Sequence, residues 1–375
     1  MKILIIGEYS GFASNLKMGF KSLGHETILF SWGDGFKKIK SNLPEDYYVN
    51  VSNFSIYKKQ IKGSWVIKNI IESFVFNQKV KTICENGLFD VVLILNLDFI
   101  RFNRQFWRPY FSMKMIKNIV KSPNDIYLSL CGNEFIYNSF LSKMSKSNPK
   151  DIIKRQKPTK REIQVFNTFS HQIPRVIPVM FDYAEPYRQY KLSKYFEIQP
   201  TIPLPLYLDN IEFNNVVRKK IVIFHGVNRE SKGTSVISEA LEEIKQLYSN
   251  VEIIIEGNLP FEEYLNVLKK ANIIIDQCYA YSYGMNAIYS MAMGKVVLSG
   301  NEPECQIEFK REDIPIVNIK PDPQQIVREL KLLIEEPERI NQIAIQSRKF
   351  VEEFHDSIIV AKQYINVFTK NNNKI

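Results

Sequence analysis

The chain is poor in the residues that staple or metallate a protein. Its four cysteines (Cys84, Cys131, Cys278, Cys305) lie far apart, with no C-x-x-C pair among 375 residues. That spacing argues against a disulfide framework or zinc site, and the four read as small buried hydrophobes in a large core. The four histidines (His25, His171, His225, His355) are also scattered, without H-E-x-x-H or similar spacing. No structural metal is expected. Long apolar runs are missing too. Ile3–Ile6 is too short for a signal peptide, and no stretch approaches the roughly 20 apolar residues of a membrane helix. The expected location is therefore cytoplasmic. There is no internal repeat at a solenoid period.

What remains is ample material for two α/β domains. The length is too great for one ordinary domain, and 45% hydrophobic with 24% charged residues is the balance of a globular chain. Charge is unevenly placed: of the net +10, residues 1–200 hold 30 Lys and Arg against 16 Asp and Glu, while 201–375 hold 20 against 24. A basic first half beside a mildly acidic second half suggests domains with different partners. Anionic lipid, a phosphate-bearing acceptor and nucleic acid all satisfy the charge alone.

Continuous apolar runs bounded by turns indicate strands buried on both faces of a parallel sheet. The first is 2–7, followed by a helical stripe at Leu16, Phe20 and Leu23 that ends at Gly24, and a strand at Thr27–Phe30. Further strands are expected at Phe89–Leu95, Ile126–Leu130 and Val176–Val179. In the second half, strands at Lys220–Phe224, Val251–Glu256, Ile273–Asp276, Val296–Ser299 and Ile314–Val317 alternate with helical patterns at 235–248, 261–270, 284–293 and 323–335. Such alternation predicts a doubly wound parallel sheet. The proline-rich segment 196–215 is the expected connection, giving domains at 1–200 and 201–352. Residues 353–375 carry Phe354, Ile358, Ala361, Ile365 and Phe368 at helical spacing, an amphipathic helix expected to pack back on the first domain.

Two clusters carry the chemistry. In 224–234 a buried strand runs through His225 and Gly226 into a polar loop with Arg229 and Lys232, then Gly233 and a helix start. Cations at a sheet's carboxyl edge clamp a diphosphate, and glycine permits close backbone approach. A solvated βα loop with incidental charges explains the same residues. About 50 residues on, 275–297 runs from a strand through Tyr279, Tyr281, Ser282 and Tyr283 to Gly284 and Met285 at a helix start. Those leading amides suit a phosphate. Simple packing of Met291 and Ala292 on a sheet is the alternative, but leaves the aromatics before Gly284 unexplained.

Together these clusters resemble the donor-binding half of retaining GT-B glycosyltransferases of the family 4 type (glycosyl transferases group 1). The R-x-x-K-G of that family is matched by Arg229, Lys232 and Gly233. Its E-G-F-G-x-x-x-x-E-A-M-A-x-G-x-P-V is matched by Gly284, Met291, Ala292, Gly294 and Val297, with Tyr283 for the Phe. The opening 2–26 also resembles the family's acceptor-domain start. The departures that matter are Tyr281 and Tyr289, which stand where the family has acidic residues, and Val296, which stands where it has Pro. A tyrosine hydroxyl lacks a carboxylate's charge and bidentate reach for ribose hydroxyls.

The resemblance implies two Rossmann-like domains facing a cleft and transfer of a sugar, with retention, from a UDP- or GDP-sugar to a polysaccharide or glycolipid acceptor. Arg229 and Lys232 would neutralise the leaving diphosphate, with help from amides near Gly284 and Met285, and without Mg²⁺ or another cofactor. Tyr281, Ser282, Tyr283 and Tyr289 would line the donor site. Gly11 and Phe12 sit in a turn resembling the family's phosphate-facing loop, though a tight βα turn needs the same residues. Glu134, in Cys131-Gly132-Asn133-Glu134, would orient an acceptor hydroxyl or else cap a helix N-terminus. Eight Lys and Arg between Lys143 and Arg161, and Arg interleaved with aromatics in 101–111, suit an anionic headgroup surface. A peripheral place on the inner face of the plasma membrane follows; a solvated loop beside an aromatic core helix is the plainer account. No nucleic-acid module is present, so no nucleic-acid partner is expected. The competing reading is a non-catalytic GT-B subunit or pseudoenzyme, which tyrosines at both acidic positions would suit.

Overall fold

The computed structural model describes residues 1–39, 43–49, 55–56, 59–60, 64–101, 110–132, 136–137, 168, 171–173, 175–189, 196–209, 211–217, 219–227 and 232–370. The basic run 143–161 and residues 102–109 lie outside these, as do Arg229 and Glu134.

Two parallel sheets dominate. The first contains β1 (Lys2–Ile6), β2 (Glu26–Ser31), β3 (Tyr47–Tyr48), β4 (Val91–Ile94), β5 (Ile126–Leu130), β6 (Arg175–Pro178) and β7 (Glu197–Ile198). Their spatial order is β3-β2-β1-β4-β5-β6-β7, with every pairing parallel. The second contains β8 (Ile221–Gly226), β9 (Val251–Glu256), β10 (Ile273–Ile275), β11 (Val296–Ser299) and β12 (Ile316–Asn318), ordered β9-β8-β10-β11-β12 and again all parallel. Helices account for this arrangement. A parallel pair needs a crossover, and the crossover helices cover both faces, so the central strands are apolar throughout. Ile3 to Ile6 and Ile273 to Ile275 are each 0% exposed. β9, at the edge, is only half buried.

Among the described residues the helices are α1 (Phe12–Ser22), α2 (Ser64–Glu85), α3 (Met113–Ile119), α4 (Phe181–Gln189), α5 (Thr234–Leu247), α6 (Phe261–Lys270), α7 (Met285–Ala292), α8 (Pro303–Phe309), α9 (Pro323–Glu335), α10 (Pro337–Phe354) and α11 (Ser357–Lys370). Strand β7 still belongs to the first sheet, so the connection begins after Ile198 rather than at 196. It runs extended to Leu206, which exchanges backbone hydrogen bonds with His355 and Ser357. From there α11 lies along α1. Gly19 makes this approach possible: a Cβ there would sit 2.1 Å from the Ser357 carbonyl oxygen. Phe20 of α1 meets Tyr364 and Phe368 of α11 edge-on and tilted. One cysteine expectation needs correcting. Cys131, Cys278 and Cys305 are buried, but Cys84 is exposed near the end of α2.

In doubly wound sheets, ligands bind outside the carboxyl ends of the strands, at the point where strand order reverses. That point lies between β1 and β4 in the first sheet and between β8 and β10 in the second. A depression of about 430 Å³ lined by Lys2, His25, Glu26 and Asn86 lies at the amino ends of β1 and β2, away from both.

Candidate functional site

The loops leaving β8 and β10 carry the two sequence clusters, and the fold brings them together. Lys232 precedes α5, whose N-cap Gly233 has φ +84°. A Cβ there would meet the Cys278 sulfur at 2.2 Å, so both conformation and space require glycine. The Lys232 carbonyl accepts the Cys278 amide at 3.0 Å, while its Nζ reaches Asp276 Oδ1 at 2.8 Å. His225 braces the same loop from beneath. Its Nδ1 bonds the Ile275 carbonyl oxygen at 2.8 Å, which fixes Nδ1 as the donor and leaves Nε2 to accept from Thr234 Oγ1 at 3.0 Å. Burial holds this imidazole below its usual pKa, so it stays neutral. Gly226 ends β8; among the described residues only the Phe224 ring would approach a Cβ there.

Asp276 is the centre of the arrangement and was not singled out by the sequence. It lies at the end of the Ile273–Ile275 strand, 2% exposed. Burial raises its carboxyl, but the Lys232 charge and the Asn286 hydrogen bond outweigh this and bring it below the usual range. Asn286 Nδ2 donates to the same Oδ1 at 2.6 Å, and Asn286 Oδ1 accepts from the Tyr264 hydroxyl. Because Asn286 is the second residue of α7, one carboxylate links the lysine to that helix's first turn. The N-cap, Gly284, is extended (φ −127°, ψ −170°), and among the described residues no side chain caps α7. Among the described residues, a Cβ at 284 would meet nothing within 4 Å. The leading amides of a helix have no intrahelical acceptors, so this end carries partial positive charge. Met285, the first helical residue, is buried.

The residues before Gly284 serve the loop. Asp182, at the start of α4 in the first domain, accepts the amides of Tyr281 at 3.1 Å and Ser282 at 2.7 Å. Burial pushes the Asp182 carboxyl up to about 6 against the lowering effect of those bonds. The Tyr281 ring packs beside Phe181, and the Ser282 carbonyl oxygen accepts from Gln277 Nε2 at 2.9 Å. Tyr283 turns inward: it is 1% exposed and its hydroxyl meets His355 Nε2 at 2.9 Å. His355 Nδ1 bonds the Leu204 carbonyl oxygen at 2.7 Å, so Nε2 is the acceptor, and burial holds this ring down at about 4. Tyr283 thus ties the loop to the connection and to α10.

From the opposite domain, Gly11 (φ +84°) comes so close to Tyr289 that a Cβ would lie 2.4 Å from its hydroxyl. Asn15 Nδ2 donates to the Tyr289 hydroxyl at 2.7 Å and to the Gly11 carbonyl oxygen at 2.7 Å, while its Oδ1 accepts the Tyr207 amide at 3.0 Å. One amide therefore joins the first domain, the connection and α7. Phe12, the residue after Gly11, is buried. Glu8, at the end of β1, accepts from Ala13 N at 3.2 Å, Ser14 N at 3.0 Å and Ser14 Oγ at 2.6 Å. It occupies the N-terminus of α1, and burial raises its carboxyl to about 7.

Among the described residues, no group of three or more His, Cys, Asp or Glu could hold a metal ion, and no helix is long and apolar enough to cross a membrane. No protein-family model matches the chain, and no curated protein matches it in sequence. Solved structures do. Sucrose-phosphate synthase from Thermosynechococcus elongatus is similar over 100% of both chains, with a TM-score of 0.62 and 13% identity. HepE of Anabaena, in a complex with UDP-glucose, is similar over 99% of this chain and 100% of its own, with a TM-score of 0.58 and 12% identity. A glycosyltransferase from Rickettsia africae is similar over 100% of this chain and 98% of its own, with a TM-score of 0.55 and 14% identity. The chain has the GT-B fold, two Rossmann-like domains facing a cleft, which it shares with these glycosyltransferases.

Proposed function

We propose that the protein is a glycosyltransferase that takes its sugar from a nucleoside-diphosphate sugar, with UDP the first candidate. The observation that carries this reading is the pairing of Lys232 with the uncapped start of α7 at the switch point of the second sheet. As the bond between the anomeric carbon and the diphosphate oxygen breaks, negative charge gathers on the leaving diphosphate. A cation and preorganised amides aimed there lower the barrier, because they gain most as that charge develops. An acceptor hydroxyl supplies the new oxygen, and its proton leaves to solvent or to a nearby base. Support for UDP comes from HepE, a GT-B neighbour solved with UDP-glucose. Retention at the anomeric carbon is part of the proposal and rests on the motif resemblance. The excess of Lys and Arg over 1–200 favours an anionic, lipid-linked acceptor at a membrane surface. Salt-reversible binding to vesicles containing anionic lipid is expected; none at low salt would leave a soluble glycan.

A second reading, a non-catalytic subunit, is favoured by Tyr289, whose hydroxyl already bonds Asn15. A thermal-shift screen of nucleotide sugars followed by a transfer or hydrolysis assay separates the two. The enzyme reading expects stabilisation by at least one UDP- or GDP-sugar and turnover that falls at least about 100-fold in Lys232→Ala. Binding without turnover would identify the subunit reading, and no response to any nucleoside diphosphate would end both.

A further inference from the structure

The proposed function uses Lys232 and leaves Asp276 without a role, although the carboxylate is the more costly of the two to place. It follows three isoleucines of the central strand in the second sheet and is 2% exposed. A buried carboxylate is tolerated only when charge and hydrogen bonds answer it. Here Lys232 Nζ lies at 2.8 Å, Asn286 Nδ2 at 2.6 Å and Ser299 Oγ at 3.4 Å. Lysine is a point charge on a flexible four-carbon stem, and its loop alone would leave the ammonium free to sweep through solvent. Two contacts remove that freedom. The Lys232 carbonyl is tied to the Cys278 amide and its ammonium to Asp276, so backbone and charge are both fastened to the loop after β10.

We infer that Asp276 is a positioning residue that aims the Lys232 ammonium at a diphosphate held by the first turn of α7, without touching the donor itself. The inference rests on the proposed donor site. One of the three ammonium N–H groups is spent on Asp276, which leaves two to donate to phosphate oxygens. Asn286 fastens the same carboxylate to α7, so the cation and the helix amides share one rigid reference point. The opposite role is a brake, in which the carboxylate neutralises the lysine and opposes anion binding. The two roles differ in sign.

Calorimetric titration of UDP and of uridine into wild type, Asp276→Asn, Lys232→Ala and the double variant decides between them. Uridine lacks the diphosphate, so a general structural defect would weaken both ligands alike. The positioning role expects Asp276→Asn to lose about 10-fold in UDP affinity with uridine unchanged. It also expects the double variant to bind UDP no more weakly than Lys232→Ala alone, since the carboxylate acts through the lysine. UDP affinity that is unchanged or tighter in Asp276→Asn, while Lys232→Ala still loses it, overturns this inference and leaves the donor site standing. A wild type indifferent to UDP, or a Lys232→Ala variant that binds it normally, overturns the donor site and the inference together. Should Asp276→Asn fail to fold, Asp276→Glu keeps the charge but displaces it by a methylene. Positioning expects a UDP-selective loss there as well, and a pure charge brake expects none.

Discussion

The two sheets reverse strand order in the same way, yet the helix ends at their switch points are furnished in opposite fashion. In the first domain Glu8 folds back over α1 and takes the amides of Ala13 and Ser14, so the protein's own carboxyl group fills that helix start. In the second, Gly284 leaves α7 without a side-chain cap, and Lys232 stands one carboxylate away from its first turn. Fold topology alone would make the two sites equivalent. The difference lies in a single carboxyl group set against one helix start and not the other, and under the proposed function it would leave the second domain as the place for a phosphate group. The first domain contributes by closure: Gly11 and Asn15 meet Tyr289, and Asp182 holds the loop that leads to Gly284.

The sharpest way to break this contrast is to give α7 the cap that α1 has. Gly284→Asp suits the extended backbone and meets open space, so the fold should be retained. Its carboxylate would take the leading amides and repel a diphosphate. UDP affinity measured by calorimetry should fall between about 100- and 1,000-fold, equivalent to about 3–4 kcal/mol. Undiminished affinity would show that the α7 amides do not meet the diphosphate.

The contrast also has a pH signature. The Glu8 carboxyl is raised from the usual glutamate value to about 7 by burial. The folded protein therefore holds a proton there that the unfolded chain gives up, and the stability this adds is full below about pH 4.5 and lost as pH rises through 7. That loss is about 3–4 kcal/mol, and Glu8→Gln should escape it. The melting temperature of Glu8→Gln relative to wild type should climb between pH 4.5 and 7.5; a constant difference would mean that Glu8 is charged throughout.

The smallest effect separates structural tyrosine from ligand-facing tyrosine. Tyr283→Phe leaves His355 Nε2 buried without its donor, which should cost about 1–2 kcal/mol in chemical denaturation. UDP affinity should not change, because the ring faces the core; a loss in binding would return Tyr283 to the donor site.

Much of this was readable in advance, and the failures have physical causes. Central strands buried on both faces announce themselves as unbroken apolar runs, so β1, β5 and β11 fall at or within a residue of their expected ends. The two-residue edge strands β3 and β7 carry no such run and were not anticipated. Helix α4 was hidden because Pro186 lies inside it. At the site, glycines at tight turns and a cation after a strand are local signals, and they led to Lys232, Gly233 and Gly284. Asp276 and Asp182 have partners 44 and about 100 residues away, and a lone carboxylate at a strand end gives no local hint of such a bond. The Tyr283 hydroxyl finds His355 across 72 residues, which a motif written in rings alone does not show.

The most direct measurement is a crystal structure of the protein with UDP. The account predicts the diphosphate within hydrogen-bond distance of Lys232 Nζ and of the Met285 or Asn286 amide. A diphosphate lodged beside Glu8 and α1, or a Lys232 ammonium turned away from the bound nucleotide, would contradict it.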